Sequence, residues 1–148
     1  MGRLMSIDFG RRRCGIAATD TLRIVANGVA TVETGRLIEF VKQYVAAESV
    51  DAVIVGFPTT MRGENSESVK YLTPVINRLK KEIAPTEVIY YDERFTSVLA
   101  HRAMLDGGMK KMDRRDKAIV DEISATIILN DFLQSRLYEE LKTKNKDI

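Results

Sequence analysis

Three short apolar runs stand close together at the start of this chain, and the spacing between them leaves room only for turns. They cover residues 4–9, 15–19 and 24–32. Gaps this short hold no crossover helix, so the three strands are expected to pair as antiparallel hairpins. Asn27-Gly28 predicts a bulge or bend in the third. Beyond it the period changes. Leu37, Phe40, Val41, Tyr44 and Val45 recur at helical spacing and predict an amphipathic helix over 36–48. Ala52-Val53-Ile54-Val55-Gly56 is a continuous apolar run, rich in β-branched residues, typical of a strand covered on both faces. Val69, Leu72, Val75, Ile76 and Leu79 predict a second helix over 66–83, with Pro74 as a kink point. A fifth strand follows at 87–91. Helical segments over 97–105 and 116–141 complete the chain, separated by Gly107-Gly108 and a basic linker. Hairpin-linked strands followed by α-β-α-β-α imply an α/β fold: a five-stranded mixed sheet with helices on both faces. One domain over 1–141 is expected, with 142–148 a basic tail that frays.

Composition narrows the chemistry. With 148 residues, 45% of them apolar and 30% charged, the chain suits one soluble domain with one substantial core. No run is long enough to cross a bilayer, and the N-terminus shows no export leader, so a cytoplasmic location is expected. Cys14 is the only cysteine and His101 the only histidine. An internal disulfide and a zinc cluster are therefore excluded, and no histidine, cysteine or serine cluster competes as a nucleophile. The net charge of +2 is small, but the basic residues are grouped. Arg11, Arg12 and Arg13 follow the first strand; Arg94, His101 and Arg102 form a second group; Lys110, Lys111, Arg114, Arg115 and Lys117 form a third. Such groups suit a phosphate backbone, or else a solvated surface.

Three carboxylates stand out. Asp8 interrupts the apolar run at the carboxyl end of the first strand, where open α/β sheets place their sites. Gly10 lets the backbone turn closely after it. The competing reading is a turn-initiating aspartate. Glu93 lies just past the fifth strand, at the same sheet edge if the fourth and fifth strands run parallel to the first. It also fits a solvated turn, or an acid at the start of the next helix. Asp121 shares a helical stripe with Ala125, Ile128 and Phe132, so it is expected to be buried and to need a metal or an arginine; Arg13 and Arg94 are available. Converging, the three form an oxygen-only site suited to Mg²⁺ or Mn²⁺, and two such ions can drive phosphodiester hydrolysis.

Four ordered motifs carry a resemblance. Asp8-Phe9-Gly10-x-x-Arg13-x-Gly15-Ile16-Ala17, then Val55-Gly56-Phe57-Pro58 with Gly63 downstream, Asp92-Glu93-Arg94-Phe95-Thr96 and Asp121-Glu122-Ile123-Ser124-Ala125 resemble the YqgF family from about residue 3 to residue 138. The resemblance implies a ribonuclease H-like fold and a metal-dependent nuclease that processes the 5′ end of pre-16S ribosomal RNA. Association with ribosomal precursors goes with that role. Its relation to Holliday-junction resolvases implies branched DNA as the alternative substrate. The family's acidic triad maps onto Asp8, Glu93 and Asp121. Two departures are visible: Ser97 where a second threonine is usual, and Glu122 where serine is common. The fourth strand ends without the carboxylate that related resolvases carry, which leaves the number of ions open.

On this reading the triad holds the metal, while Arg13 and Arg94 grip a phosphate or orient a carboxylate. Gly56, Pro58 and Gly63 shape a loop from which Arg62 meets the substrate. Residues 107–117, with Lys110, Lys111, Arg114 and Arg115, are the expected nucleic-acid clamp. Phe57, Tyr91 and Phe95 are the nearest candidates for stacking, or else core. Two rivals come from other classes. An actin-like ATPase would need a second domain and a phosphate loop. A non-catalytic nucleic-acid-binding module would leave an acidic Asp121 to be explained.

Overall fold

A computed structural model of the chain describes residues 2–57, 67–92 and 114–146. The strands are β1 (Arg3–Asp8), β2 (Arg13–Thr19), β3 (Ala26–Glu33), β4 (Val50–Phe57) and β5 (Glu87–Asp92). A single 3-10 turn, Thr34–Arg36, leads into α1 (Leu37–Ala47). The other helices are α2 (Glu67–Ile83), α3 (Arg114–Leu133) and α4 (Arg136–Lys146). All five strands join one sheet in the order β3-β2-β1-β4-β5. The β1–β2 and β2–β3 pairs are antiparallel, whereas β4 lies parallel to both β1 and β5. Short turns dictate the first two pairings and helical connections the parallel ones.

Alternation along the strands divides the core into two layers. Met5, Ile7, Cys14, Ile16, Val53 and Val55 face α1 and α2, whose Leu37, Val41, Leu72, Ile76 and Leu79 complete that side. Leu4, Ala17, Ala52 and Ile54 face the other way, against Ala125, Ile128, Leu129 and Phe132 of α3. On this second side the small residues Ala17, Gly15 and Gly28 let α3 lie close over β2 and β3. Phe132 is fully buried, with Tyr91 against it edge-on at 5.8 Å and Tyr138 tilted at 5.9 Å between ring centroids. Tyr91, a stacking candidate from sequence, is therefore a packing residue. Phe132→Ala is expected to cost about 3–5 kcal/mol, read as a lower urea midpoint at unchanged slope.

Three local features differ from expectation. The helix expected over 116–141 is two helices. Ser135 breaks it: its hydroxyl donates to the Phe132 carbonyl (2.6 Å) and accepts the Tyr138 N–H (3.3 Å), capping α4. The tail expected to fray is helical through Lys146, because Tyr138 and Leu141 bury against the α3 side of the sheet. With Ile119, Val120, Ile123, Ile127, Leu129 and Leu133 on its other faces, the sequence predicts that α3 is buried over most of its circumference, yet Ile123 is 37% exposed. The bulge predicted at Asn27-Gly28 falls one residue later, at Val29, where the β2–β3 register steps from Ile16↔Ala30 to Ala17↔Gly28. Pro74 sits within α2.

Candidate active site

Asp8 is the last residue of β1 and is only 3% exposed. Its partner across the antiparallel ladder is Gly15. Directly opposed residues project to one face, and Leu4, Ser6 and Asp8 alternate onto the α3 side. Ser6 pins the helix there, its hydroxyl donating to the Ala125 carbonyl at 2.6 Å. From Ser6 to Asp8 the strand advances about 6.6 Å. From Ala125 back to Asp121 the helix retreats about 6 Å. The Ser6 bond therefore brings Asp121 level with Asp8.

Gly15 reports the same approach independently. A Cβ built on it would lie 2.0 Å from the Asp121 carbonyl oxygen and 3.0 Å from the Asp121 Cβ. The helix backbone thus rests on β2 at the residue opposite Asp8, and only glycine leaves space. Glu122 is carried elsewhere, its Cβ 3.2 Å from where a Gly28 side chain would begin. Because β3 lies beyond β2 from β1, Glu122 does not join Asp8.

The turn between β1 and β2 supplies positive charge. Gly10 makes it tight: a Cβ there would fall 2.2 Å from the Arg13 carbonyl oxygen. Thr34 braces the turn, its hydroxyl donating to the Gly10 carbonyl (2.7 Å) and its N–H to the Arg12 carbonyl (3.0 Å). Arg11 and Arg12 are exposed. Arg13 shares the parity of Gly15, and its Nε donates to Asp121 Oδ2 in an ion pair. The arginine partner weighed for Asp121 from sequence is thus found. It weakens the argument that burial of Asp121 by itself demands a metal, because the aspartate is 19% exposed and already neutralised in part.

Cys14 points to the opposite face, 3.6 Å from the Thr34 hydroxyl. Burial pushes its thiol above the ordinary value, and the negative charges of Asp8 and Asp121 add to that. A protonated, enclosed thiol is neither a nucleophile nor a metal ligand. An aromatic disulfide reagent is expected to label Cys14 only after denaturant is added. A cleft of about 420 Å³ between β3 and α1, lined by Val32, Glu33, Arg36 and Phe40 among others, includes none of the predicted site residues.

Of the predicted residues, the structure brings together Asp8, Asp121, Arg13, Gly10 and Gly15. Gly56 pairs with Asp8 from β4 and with Tyr91 from β5, so it lies on the same edge. Glu93 directly follows the last residue of β5 and lies outside the described residues, as do Pro58, Arg62, Gly63, Arg94, Lys110, Lys111 and the predicted 97–105 helix. Arg114 and Arg115 open α3. No group of three or more metal-capable side chains occurs among the described residues. Ser6 was missed from sequence. A serine at an α3-facing position of β1 was the available signal.

Comparison with known proteins gives a consistent picture. The family model described as "RuvX: Holliday junction resolvase" matches residues 2–135. A Phocaeicola vulgatus protein named "Putative pre-16S rRNA nuclease" is 52% identical over 138 residues, covering 93% of this chain and 99% of its own. A Porphyromonas gingivalis protein of the same name is 45% identical over 135 residues, covering 91% and 98%. Among solved structures, Thermus thermophilus RuvC in complex with a Holliday junction substrate superposes with a TM-score of 0.56 at 16% identity, covering 90% of this chain and 95% of that one. That likeness establishes the ribonuclease H-like fold.

Proposed function

The chain belongs to the RuvX family, and from that premise we propose that it is a metal-dependent nuclease that hydrolyses phosphodiester bonds near the 5′ end of pre-16S ribosomal RNA. The observation that carries this reading is the approach of Asp121 to Asp8 across Gly15. It gathers two carboxylates at the carboxyl edge of a parallel strand pair, with arginines on the adjoining turn. The relatives' shared name supplies the substrate class.

The donor chemistry fits a hard cation. Both side chains offer oxygen, and the only thiol faces the other core layer. Asp8 and Asp121, with Glu93 as the third acid, would hold Mg²⁺ or Mn²⁺, as one ion or two. When bound, the cation supplies an activated water and stabilises charge developing on the phosphate. The chain's own groups do the rest. Burial of Asp8 on the sheet and the Ser6 brace under α3 hold the carboxylates in place before substrate arrives. Arg11 and Arg12 meet the nucleic-acid backbone at the rim, while Arg13 and Arg94 orient the phosphate under attack. Arg62, which follows β4 in the sequence, takes the neighbouring strand. Lys110, Lys111, Arg114 and Arg115 clamp the substrate backbone through their positive charge. Contacts of this kind suit association with a ribosomal precursor. No helix among the described residues is long and apolar enough to cross a membrane, and a cytoplasmic site of action agrees with an RNA substrate.

The family description favours a second substrate, the four-way DNA junction. Labelled pre-16S 5′ fragments and a four-way junction, each with Mn²⁺, Mg²⁺ or EDTA, separate the two. Cleavage of the RNA with metal, and none with EDTA, is expected. Cutting of the junction alone would move the protein to DNA. RNA binding without cleavage of either substrate would make it a binding module.

A further inference from the structure

Arg13 occupies the carboxylate that the proposed metal would need. Its Nε donates to Asp121 Oδ2, while the side chain remains 39% exposed. One N–H of the five on a guanidinium serves this bond. Arg13 lies on the α3 face beyond the Asp8–Gly15 pair, so cation, Asp121 and Asp8 share one small volume. Its main chain cannot drift: the Arg13 carbonyl abuts Gly10, and Arg13 pairs with Glu33 in the sheet. Only the side chain has freedom. A half-exposed arginine on a fixed backbone, bonded through one nitrogen, can exchange partners at small cost, because partly exposed ion pairs contribute little net stability.

We propose that Arg13 is an exchangeable counter-charge. It neutralises Asp121 in the metal-free protein, yields Oδ2 to the divalent cation, and then turns its fork to a substrate phosphate. The inference rests on the reading of Asp8 and Asp121 as metal ligands. It makes Arg13 a substrate-contacting residue that couples metal loading to phosphate capture.

Mn²⁺ affinity tests it directly, read as loss of the free-ion electron paramagnetic resonance signal, with Arg13→Gln and Arg13→Lys beside the wild type. Removing the competitor should tighten Mn²⁺ binding of Arg13→Gln by roughly fivefold, while Arg13→Lys stays near the wild type. RNA retention on filters, measured on ice with Mn²⁺, should weaken severalfold in Arg13→Gln. Mn²⁺ affinity that is unchanged or lower in Arg13→Gln would overturn the exchange and make Arg13 a fixed brace. Unchanged RNA retention would overturn it as well, as would failure of both proteins to bind Mn²⁺. A wild type that binds Mn²⁺ but cuts no RNA defeats the nuclease reading alone, with the affinity ratio still deciding the exchange. A wild type that cuts RNA, beside an Arg13→Gln that binds Mn²⁺ no tighter, defeats the exchange alone.

Discussion

Gly15→Ala should lower the melting temperature by roughly 6–12 °C, a loss of about 3 kcal/mol, and should abolish nuclease activity. The added methyl would sit 2.0 Å from the Asp121 carbonyl oxygen, a main-chain atom in the middle of α3. No side-chain rotation relieves that contact. Either α3 lifts from β2 or the strand bends, and each movement separates Asp121 from Asp8. Lifting the helix also strains the Ser6–Ala125 bond and opens the layer around Ile128 and Phe132. The control is Gly35→Ala, where nothing lies within 4 Å of the new methyl; it should melt within about 1–2 °C of the wild type. A Gly15→Ala protein that melts normally and cuts RNA would mean that α3 does not rest on β2 as described.

The second large effect is chemical. Asp8→Asn keeps the volume of the side chain and removes its charge, so the protein should fold while cleavage falls by well over about 100-fold. Even partners one step removed from a metal cost roughly 10–100-fold when lost. Two measurements are needed together. Wild type should gain thermal stability on addition of millimolar Mn²⁺, because a ligand that binds only the native state stabilises it by mass action. Asp8→Asn should lose both that gain and the activity. Glu122→Gln serves as the matched control, since Glu122 lies over Gly28 of β3 and away from Asp8; both readouts should survive. Retention of activity by Asp8→Asn would remove Asp8 from the reaction.

The sequence foresaw the sheet because each strand announces itself locally. Gaps of a few residues force hairpins, and the apolar β4 run requires cover on both sides. Such signals act over ten residues or fewer and leave little choice of topology. Helix ends were less legible. The 116–141 periodicity continues through Ser135, and a serine that caps one helix resembles one that merely interrupts a stripe. The fate of residues 142–146 depended on Tyr138 and Leu141 finding a surface, which only the folded sheet supplies. Arg23 is a similar case: an arginine in a turn reads as solvated, yet it is buried against Asp51 at 2.6 Å and the Gly2 carbonyl at 2.9 Å.

For the site, the sequence by itself determined which residue types were available: three unusual acids, grouped arginines, and neither a histidine cluster nor a second thiol. It also determined that Asp8 ends a strand and that Gly15 and Gly10 flank Arg13. Tertiary structure alone decided the height of α3 on the sheet, and with it the meeting of Asp8 with Asp121 and of Asp121 with Arg13. The reason is physical. Helix-on-sheet register follows from one hydroxyl–carbonyl bond between Ser6 and Ala125 and one missing methyl at Gly15. Each is a contact between residues more than a hundred positions apart, and no periodicity in the chain encodes it.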